Sequence, residues 1–294
     1  MFVYLINKDF LFKILSFFSL VRGYNVIFII FAQFVSSIFI FSNTSNIYQV
    51  ILDQNIWFII LSTSTSISAG YIINNFYDSD KDLINRPLKT ILENEISGRT
   101  KLFTYITLNI LTVLFSLLVS LKALIFFSFY TLGIFIYSIK LSKYLFIGNF
   151  ISVILVITPF FAITVYYKNF SLEIFTHAIF LFFVILIKEL IKDLENLKGD
   201  FTMNYKTIPV LYGEKWTKRY IILFVVFTIL ISLNLSLNYD IHFMKVYYLL
   251  SIPFFIFFIY LMLKFNSRKH YVILHNALKI LIITGLFSIT LHGP

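Results

Sequence analysis

The sequence predicts an all-α polytopic membrane protein, about nine transmembrane helices in one bundle with a small cytoplasmic cap. Three observations predict it. Hydrophobic residues make up 59% of the 294 and charged residues 13%, where soluble domains run nearer half and a quarter. Nine apolar stretches are each long enough to cross the hydrocarbon of a bilayer, which takes about 20 helical residues. Lysine and arginine alternate between dense and sparse from one connecting segment to the next, the signature of a chain threaded back and forth through a membrane.

The first 20 or so residues carry Lys8 and Lys13 and read as an amphipathic lead-in on the membrane surface. Arg22 interrupts the apolar run that follows and no small-residue cleavage site succeeds it, which argues against a cleaved signal. The spans then fall at about 24–42, 55–77, 102–120, 123–139, 145–166, 174–191, 219–237, 246–263 and 272–291. Residues 1–294 read as a single integral-membrane domain. The absence of cysteine excludes disulfides, zinc–thiolate sites and thiol nucleophiles. A net charge of +10 would suit nucleic acid, but no soluble basic segment exists to hold one. No nucleic-acid partner is expected, and the charge is read as topology.

Of the 24 lysines and arginines, 20 lie in the N-terminal segment or after spans two, four, six and eight. Lys122, Lys168 and Lys245 lie on the other side, and Lys279 lies within the ninth span. The N-terminus and those even connections are therefore expected in the cytoplasm and the C-terminus outside, in a cell's inner membrane.

Ten of the 14 acidic residues fall in two of the cytoplasmic connections. In "NNFYDSDKDLINRP" (74–87), Asn74, Asp78 and Asp82 stand four apart, on one helical face. In "KELIKDLENLKGD" (188–200), Glu189, Asp193, Asn196 and Asp200 form a second stripe. Like charges so stacked repel, and a cation should offset that repulsion. Oxygen-only ligands favour Mg²⁺, which completes its shell with water and phosphate oxygens. Two such stripes facing each other can hold two ions and a diphosphate, with Arg86, Lys192 and Lys206 taking further phosphate charge. An apolar bundle behind a diphosphate site suits an isoprenyl tail. The five histidines show no ligand spacing, and His270 and His275 are far from the acids in sequence. The runner-up of another class is an ion-coupled membrane transporter, against which the charge-poor span centres argue.

These residues resemble a known family. "NNFYDSDKDLINRP" is similar to the first aspartate signature of the UbiA-type intramembrane prenyltransferase superfamily, and "KELIKDLENLKGD…YKTIPVLYG" to the second. Smaller echoes are "RGYN" (22–25), "ILENEIS" and "YSIKLSKYLFIGN" (137–149). The resemblance implies a Mg²⁺-dependent transfer of an isoprenyl group, geranylgeranyl or similar, from its diphosphate through an allylic carbocation. The acceptor it implies is a lipophilic or phosphoglycerol one, a membrane lipid. The wording is most like the geranylgeranylglycerol-phosphate geranylgeranyltransferase branch and its bacterial relatives. A quinone-pathway enzyme acting on 4-hydroxybenzoate or dihydroxynaphthoate is the alternative.

Carried over onto this chain, the resemblance makes Asp78, Asp82, Asp193 and Asp200 the catalytic acids. Asn74, Asp78, Asp82, Asp193, Asn196 and Asp200 become the metal ligands, and Arg22, Asn25, Arg86, Lys143, Lys192 and Lys206 the substrate contacts. The chain departs from the family pattern at three places. Asn75 and Asn196 stand where aspartates are usual, and Ser142-Lys143 where a Lys-Arg pair is usual. Asn75 is expected to point away from the metal stripe.

Overall fold

The computed structural model describes residues 2–42 and 46–292, with side chains from residue 10 onward. Among them stand twelve α-helices and no strand: α1 (Phe2–Leu20), α2 (Gly23–Ser36), α3 (Ile47–Ile51), α4 (Gln54–Asn85), α5 (Pro87–Asn94), α6 (Gly98–Val119), α7 (Leu121–Ile139), α8 (Ile147–Tyr167), α9 (Leu172–Thr202), α10 (Ile208–Asn238), α11 (Lys245–Lys264) and α12 (Arg268–Ser288). Nine segments of the described residues are long and apolar enough to cross a membrane, in the order the hydropathy predicts. The protein is an integral membrane protein. The final two residues, assigned by charge to the outer side, and the side chain of Lys8 lie outside the described residues.

The largest differences between predicted and observed limits are extensions beyond the apolar run. α4 runs on to Asn85, α9 to Thr202, and α10 begins at Ile208. Hydropathy reports the thickness of the hydrocarbon, whereas helical hydrogen bonding has no reason to stop there. Both acidic motifs are therefore helical, and the four-residue spacing within them is a real face.

The chain, read from sequence as one domain, groups by Cα proximity into two compact units, Met1–Ala32 with Gln54–Lys140, and Gln33–Asp53 with Leu141–Pro294. In the first unit α4 is central, and 72% of its apolar window is buried. Its middle reads STSTSISAG, and Ser62, Thr63, Ser66 and Gly70 are all buried. In lipid the apolar effect gives helices little reason to associate, so small residues that let backbones approach become the means of packing. Thr65 meets Thr112 of α6 hydroxyl to hydroxyl at 2.8 Å. A Cβ on Gly70 would stand 2.6 Å from Ile134 of α7, so this position admits nothing larger.

The NRP of the first motif ends α4 and starts α5. Pro87 occupies the first turn of α5, where a missing N–H leaves nothing unsatisfied. It also disfavours helical backbone at the residue before it, and Arg86 accordingly sits at φ −142°, ψ 61°. α5 then folds back against α1 and α4. Its Glu93, 2% exposed, accepts hydrogen bonds from Ser19 Oγ (3.0 Å) and Asn75 Nδ2 (3.1 Å), and pairs with Lys89 at 3.2 Å. Asn75 Oδ1 in turn accepts from Lys101 Nζ of α6 at 2.7 Å. The other side of α1 leaves Phe10, Leu11, Ile14 and Phe18 exposed, as a surface-lying helix would.

In the second unit α9 is the central helix, packed by α8, α10 and α12. Phe180, Val184, Ile187, Leu190, Ile191 and Leu194 fill its core side. Within α10, Gly213 adopts φ 80°, ψ 168°, a conformation effectively reserved for glycine, and breaks the helix between its first turns and the long apolar run.

The Asn75 network yields the first prediction. An amide there donates to Glu93 and accepts from Lys101, whereas a carboxylate can do only the second. Asn75→Asp should bring two carboxylates together in a buried site and destabilise this unit by about 1–3 kcal/mol. Adding Glu93→Gln should recover most of that loss. Thermal unfolding in detergent of the single and double variants measures both; an unchanged midpoint for Asn75→Asp would show that the network carries no such constraint.

Candidate active site

Asn74, Asp78 and Asp82 lie along one face of the last turns of α4. Asp78 is 6% exposed and Asn74 and Asp82 are half-buried, while Asp80, off the stripe, is exposed. Lys81 Nζ is 3.7 Å from Asp78 Oδ2. Asn75 faces away from the stripe, into the Glu93 network.

Arg22 and Asn25 reach this region from the junction of α1 and α2. The Arg22 guanidinium stands 4.8 Å from the centre of the Tyr71 ring, and Asn25 Nδ2 donates to Tyr71 Oη at 3.3 Å. Tyr71 lies about one turn before Asn74 on α4. Arg22 holds a left-handed backbone, φ 49°, at a cost of about 1 kcal/mol for a side chain with a Cβ. Burial disfavours its charge, but Tyr71, Asp82, Tyr24 and Glu93 favour it, and the net direction is upward. The same crowding of charge acts on Lys89. Burial and then Arg22 push its ammonium below the ordinary lysine value, and Glu93 opposes them. Arg86, four residues beyond Asp82, donates its backbone N–H to the Asp82 carbonyl at 2.6 Å. In this unit Arg22 and Asn25 thus meet at Tyr71, Arg22 is near enough to Asp82 to feel its charge, and the Arg86 backbone closes the turn after Asp82.

The second stripe occupies the end of α9. Asp193 Oδ2 accepts from Asn149 Nδ2 of α8 at 2.8 Å. Asn196 is 6% exposed and Asp200 2%. The Asn196 amide oxygen is buried with no hydrogen-bond partner among the described residues. Just beyond α9 the chain turns, with Tyr205 N donating to the Asp200 carbonyl at 2.9 Å. The next residue, Lys206, donates its N–H to the carbonyl of Lys143 at 3.2 Å, and the Lys143 ammonium lies 5.5 Å from the Tyr205 ring centre. The backbones of Lys143 and Lys206 therefore meet in the turn that follows Asp200.

Lys192 pairs with Glu189 at 2.8 Å and also lowers the cost of charge on Asp193, and Lys188 approaches the Glu189 carboxylate at 3.2 Å. Glu189 sits at the head of the stripe, its charge matched locally.

Three neighbours were not legible as site residues. Tyr71 gave no polar signal. Asn149 closes the "YSIKLSKYLFIGN" segment, so its place in that echo was available as a cue. His275, far from the acids in sequence, stands 2.7 Å from Glu195 through Nδ1–Oε2, and Arg268 Nε donates to the Glu195 carbonyl at 3.2 Å. The distance argument against His275 is overturned for Glu195, because α12 packs along α9.

Both stripes offer oxygen alone, each beside cations, at the ends of membrane helices. Fold and site together define an integral membrane enzyme of the isoprenyl-transferring kind. The chain belongs to the UbiA prenyltransferase family, whose model matches residues 25–279. The digeranylgeranylglyceryl phosphate synthase of Methanosphaera stadtmanae is 29% identical over 205 residues, 70% of this chain and 72% of that protein. Among solved structures, that of a digeranylgeranylglyceryl phosphate synthase aligns at TM-score 0.72 and 24% identity, covering 95% of this chain and 98% of that one. A UbiA homologue from Archaeoglobus fulgidus, bound to GPP and Mg²⁺, aligns at TM-score 0.68 and 14% identity, covering 94% and 99%. At those identities the two structures establish the fold.

The stripe geometry separates the three acids of the first motif. Asp78→Ala and Asp82→Ala should each lower turnover by roughly 100-fold or more, since each removes a charged ligand. Asp80→Ala should stay within about threefold, because surface changes away from such features alter little. Initial rates in reconstituted membranes provide the comparison, and Asp80→Ala emerging as the most damaging would reassign the face.

Proposed function

We propose that the chain transfers a geranylgeranyl or similar isoprenyl group from its diphosphate to a phosphoglycerol lipid acceptor, as a single prenyltransferase domain using Mg²⁺. The observation that carries the metal is the Asn196 amide oxygen, buried without a hydrogen-bond partner on the face it shares with Asp193 and Asp200. A buried polar atom left so is costly, and a hard cation on an oxygen-only stripe would satisfy it. The family match runs continuously across both compact units. The Methanosphaera relative, a digeranylgeranylglyceryl phosphate synthase, supports the acceptor, and the Archaeoglobus homologue, bound to GPP and Mg²⁺, supports donor and ion.

In this reading Asn74, Asp78 and Asp82 hold one Mg²⁺, and Asp193, Asn196 and Asp200 a second. When bound, the ions supply Lewis-acid stabilisation to the departing diphosphate. Asn149 holds Asp193 in place through its 2.8 Å hydrogen bond. Arg22, Arg86, Lys143 and Lys206 offset the phosphate charge, and Asn25 with Tyr71 positions Arg22. Lys192 assists by keeping Glu189 neutralised. The allylic C–O bond breaks with its electron pair leaving on the diphosphate. The acceptor hydroxyl then adds to the allylic cation and releases its proton.

The proposed orientation puts the N-terminus and both motifs in the cytoplasm and the C-terminus outside. A reporter fused at the C-terminus should be active on the outer side only, and cytoplasmic activity would reverse the topology.

The decisive experiment for the reaction is mass spectrometry of products from proteoliposomes. They are supplied with geranylgeranyl diphosphate and, in turn, geranylgeranylglyceryl phosphate, 4-hydroxybenzoate and dihydroxynaphthoate. The expected product is the phosphoglycerol ether, formed only with Mg²⁺. Prenylated aromatics alone would move the chain to the quinone pathway, and substrate flux without product would make it a carrier. In the same assay Asn196→Asp should lower the half-saturating Mg²⁺ concentration by roughly tenfold, since charged ligand count tunes affinity for hard cations.

A further inference from the structure

The far end of α9 carries a second polar cluster that the transfer reaction does not use. Glu173 lies in the first turn of that helix and His177 one turn further on, on the same face. His292, just after α12 and its terminal turn, is brought to both, and one ligand atom from each of the three lies within 4.8 Å of the others. At about 1.5 Å of rise per residue, Glu173 stands about 30 Å along α9 from Asp193, so this cluster is separate from the second stripe.

His292 Nε2 is 2.6 Å from Glu173 Oε1. His177 is different. Its Nδ1 is hydrogen-bonded to Tyr248 Oη at 2.5 Å, and Tyr248 on α11 is itself 2% exposed. Its Nε2 is buried with no hydrogen-bond partner among the described residues and faces Glu173 Oε1 at 3.7 Å, within ion-pair range but longer than a hydrogen bond. The His177 side chain is 10% exposed. A plain clasp between helix ends accounts for His292 and Glu173 but leaves this buried nitrogen facing the carboxylate without a hydrogen bond.

We propose that Glu173, His177 and His292 form a site for a borderline divalent cation, Zn²⁺ being the best fit. Two imidazoles and a carboxylate are a standard three-ligand zinc set, with water in the fourth position. Metal–ligand bonds of about 2.0–2.1 Å place tetrahedral ligand atoms about 3.4 Å apart, so the 3.7 Å pair already matches and the 2.6 Å pair has only to open slightly. The Tyr248 contact supplies the outer-shell hydrogen bond that orients a ligating histidine, presenting Nε2 to the ion when Nδ1 carries the proton. The two imidazole rings are tilted by 58° with centres 5.9 Å apart, arranged to converge rather than stack. Bound there, the ion would tie the C-terminal turn to the start of α9, joining residues 119 apart in sequence.

The test uses the full-length protein in detergent, with excess Mg²⁺ to fill oxygen-only sites. Zn²⁺ binding is measured by competition against a chromophoric chelator, and Co²⁺ is used as a spectroscopic probe. Wild type should bind one Zn²⁺ per chain at this site and give the intense visible bands of tetrahedral Co²⁺. Glu173→Gln, His177→Gln and His292→Gln should each weaken Zn²⁺ binding at least tenfold and remove those bands. Gln at 173 keeps the shape of the clasp, and size-exclusion elution checks that each variant is folded. Wild type without tetrahedral Co²⁺ bands, or folded variants binding as tightly as wild type, would leave the cluster a hydrogen-bonded clasp only.

Discussion

A single carboxylate, that of Glu93, organises the polar end of the first unit. Buried to 2% exposure, it draws Ser19 from α1, Asn75 from α4 and Lys89 from α5, and through Asn75 it reaches Lys101 of α6. A buried charge without such partners would be prohibitive. With them it fixes the angle at which α5 folds back, and so the place of the NRP turn and of Arg86 beside Asp82. The first aspartate stripe stands on a helix end that this network holds still.

The network also gives a physical reason for one departure from the family pattern. Consecutive asparagines at 74 and 75 point about 100° apart around α4. Asn74 joins the stripe, while Asn75 must donate in one direction and accept in the other. Aspartate cannot do both, so in this chain the amide at 75 is required by what surrounds it. Asn196 is the reverse case. Nothing among the described residues bonds its oxygen, so the same side chain that satisfies a local network at 75 has none at 196.

The sequence made the nine spans legible because bilayer thickness imposes a length on apolar runs, and STSTSISAG shows its small-residue packing face openly. It made the two stripes legible because four-residue spacing is a helical property whatever lies around it. What it hid is what depends on tertiary neighbours. Tyr71 carries Arg22 and Asn25, Asn149 holds Asp193, and His275 reaches Glu195 across 80 positions of sequence. The apparent isolation of the histidines misled for the same reason. Glu173 and His177 are one turn apart, but the pairing only acquires meaning when His292 arrives from the end of α12. The pairing of Lys192 with Glu189 was open to view three residues apart and takes that lysine's charge toward the helix itself.

α9 shows how one helix can serve unlike tasks without their interfering. In "KDLEN", Asp193 turns toward α8, where Asn149 meets it, and Glu195 turns about 200° from Asp193 toward α12, where His275 meets it. A carboxylate at 195 therefore adds packing between α9 and α12 and keeps its charge out of the stripe, where a further anion would raise the repulsion the cation has to offset. The 31-residue length extends the same logic lengthwise. Its apolar middle packs the core, its last turns carry the acids at one end, and its first turn carries Glu173 at the other.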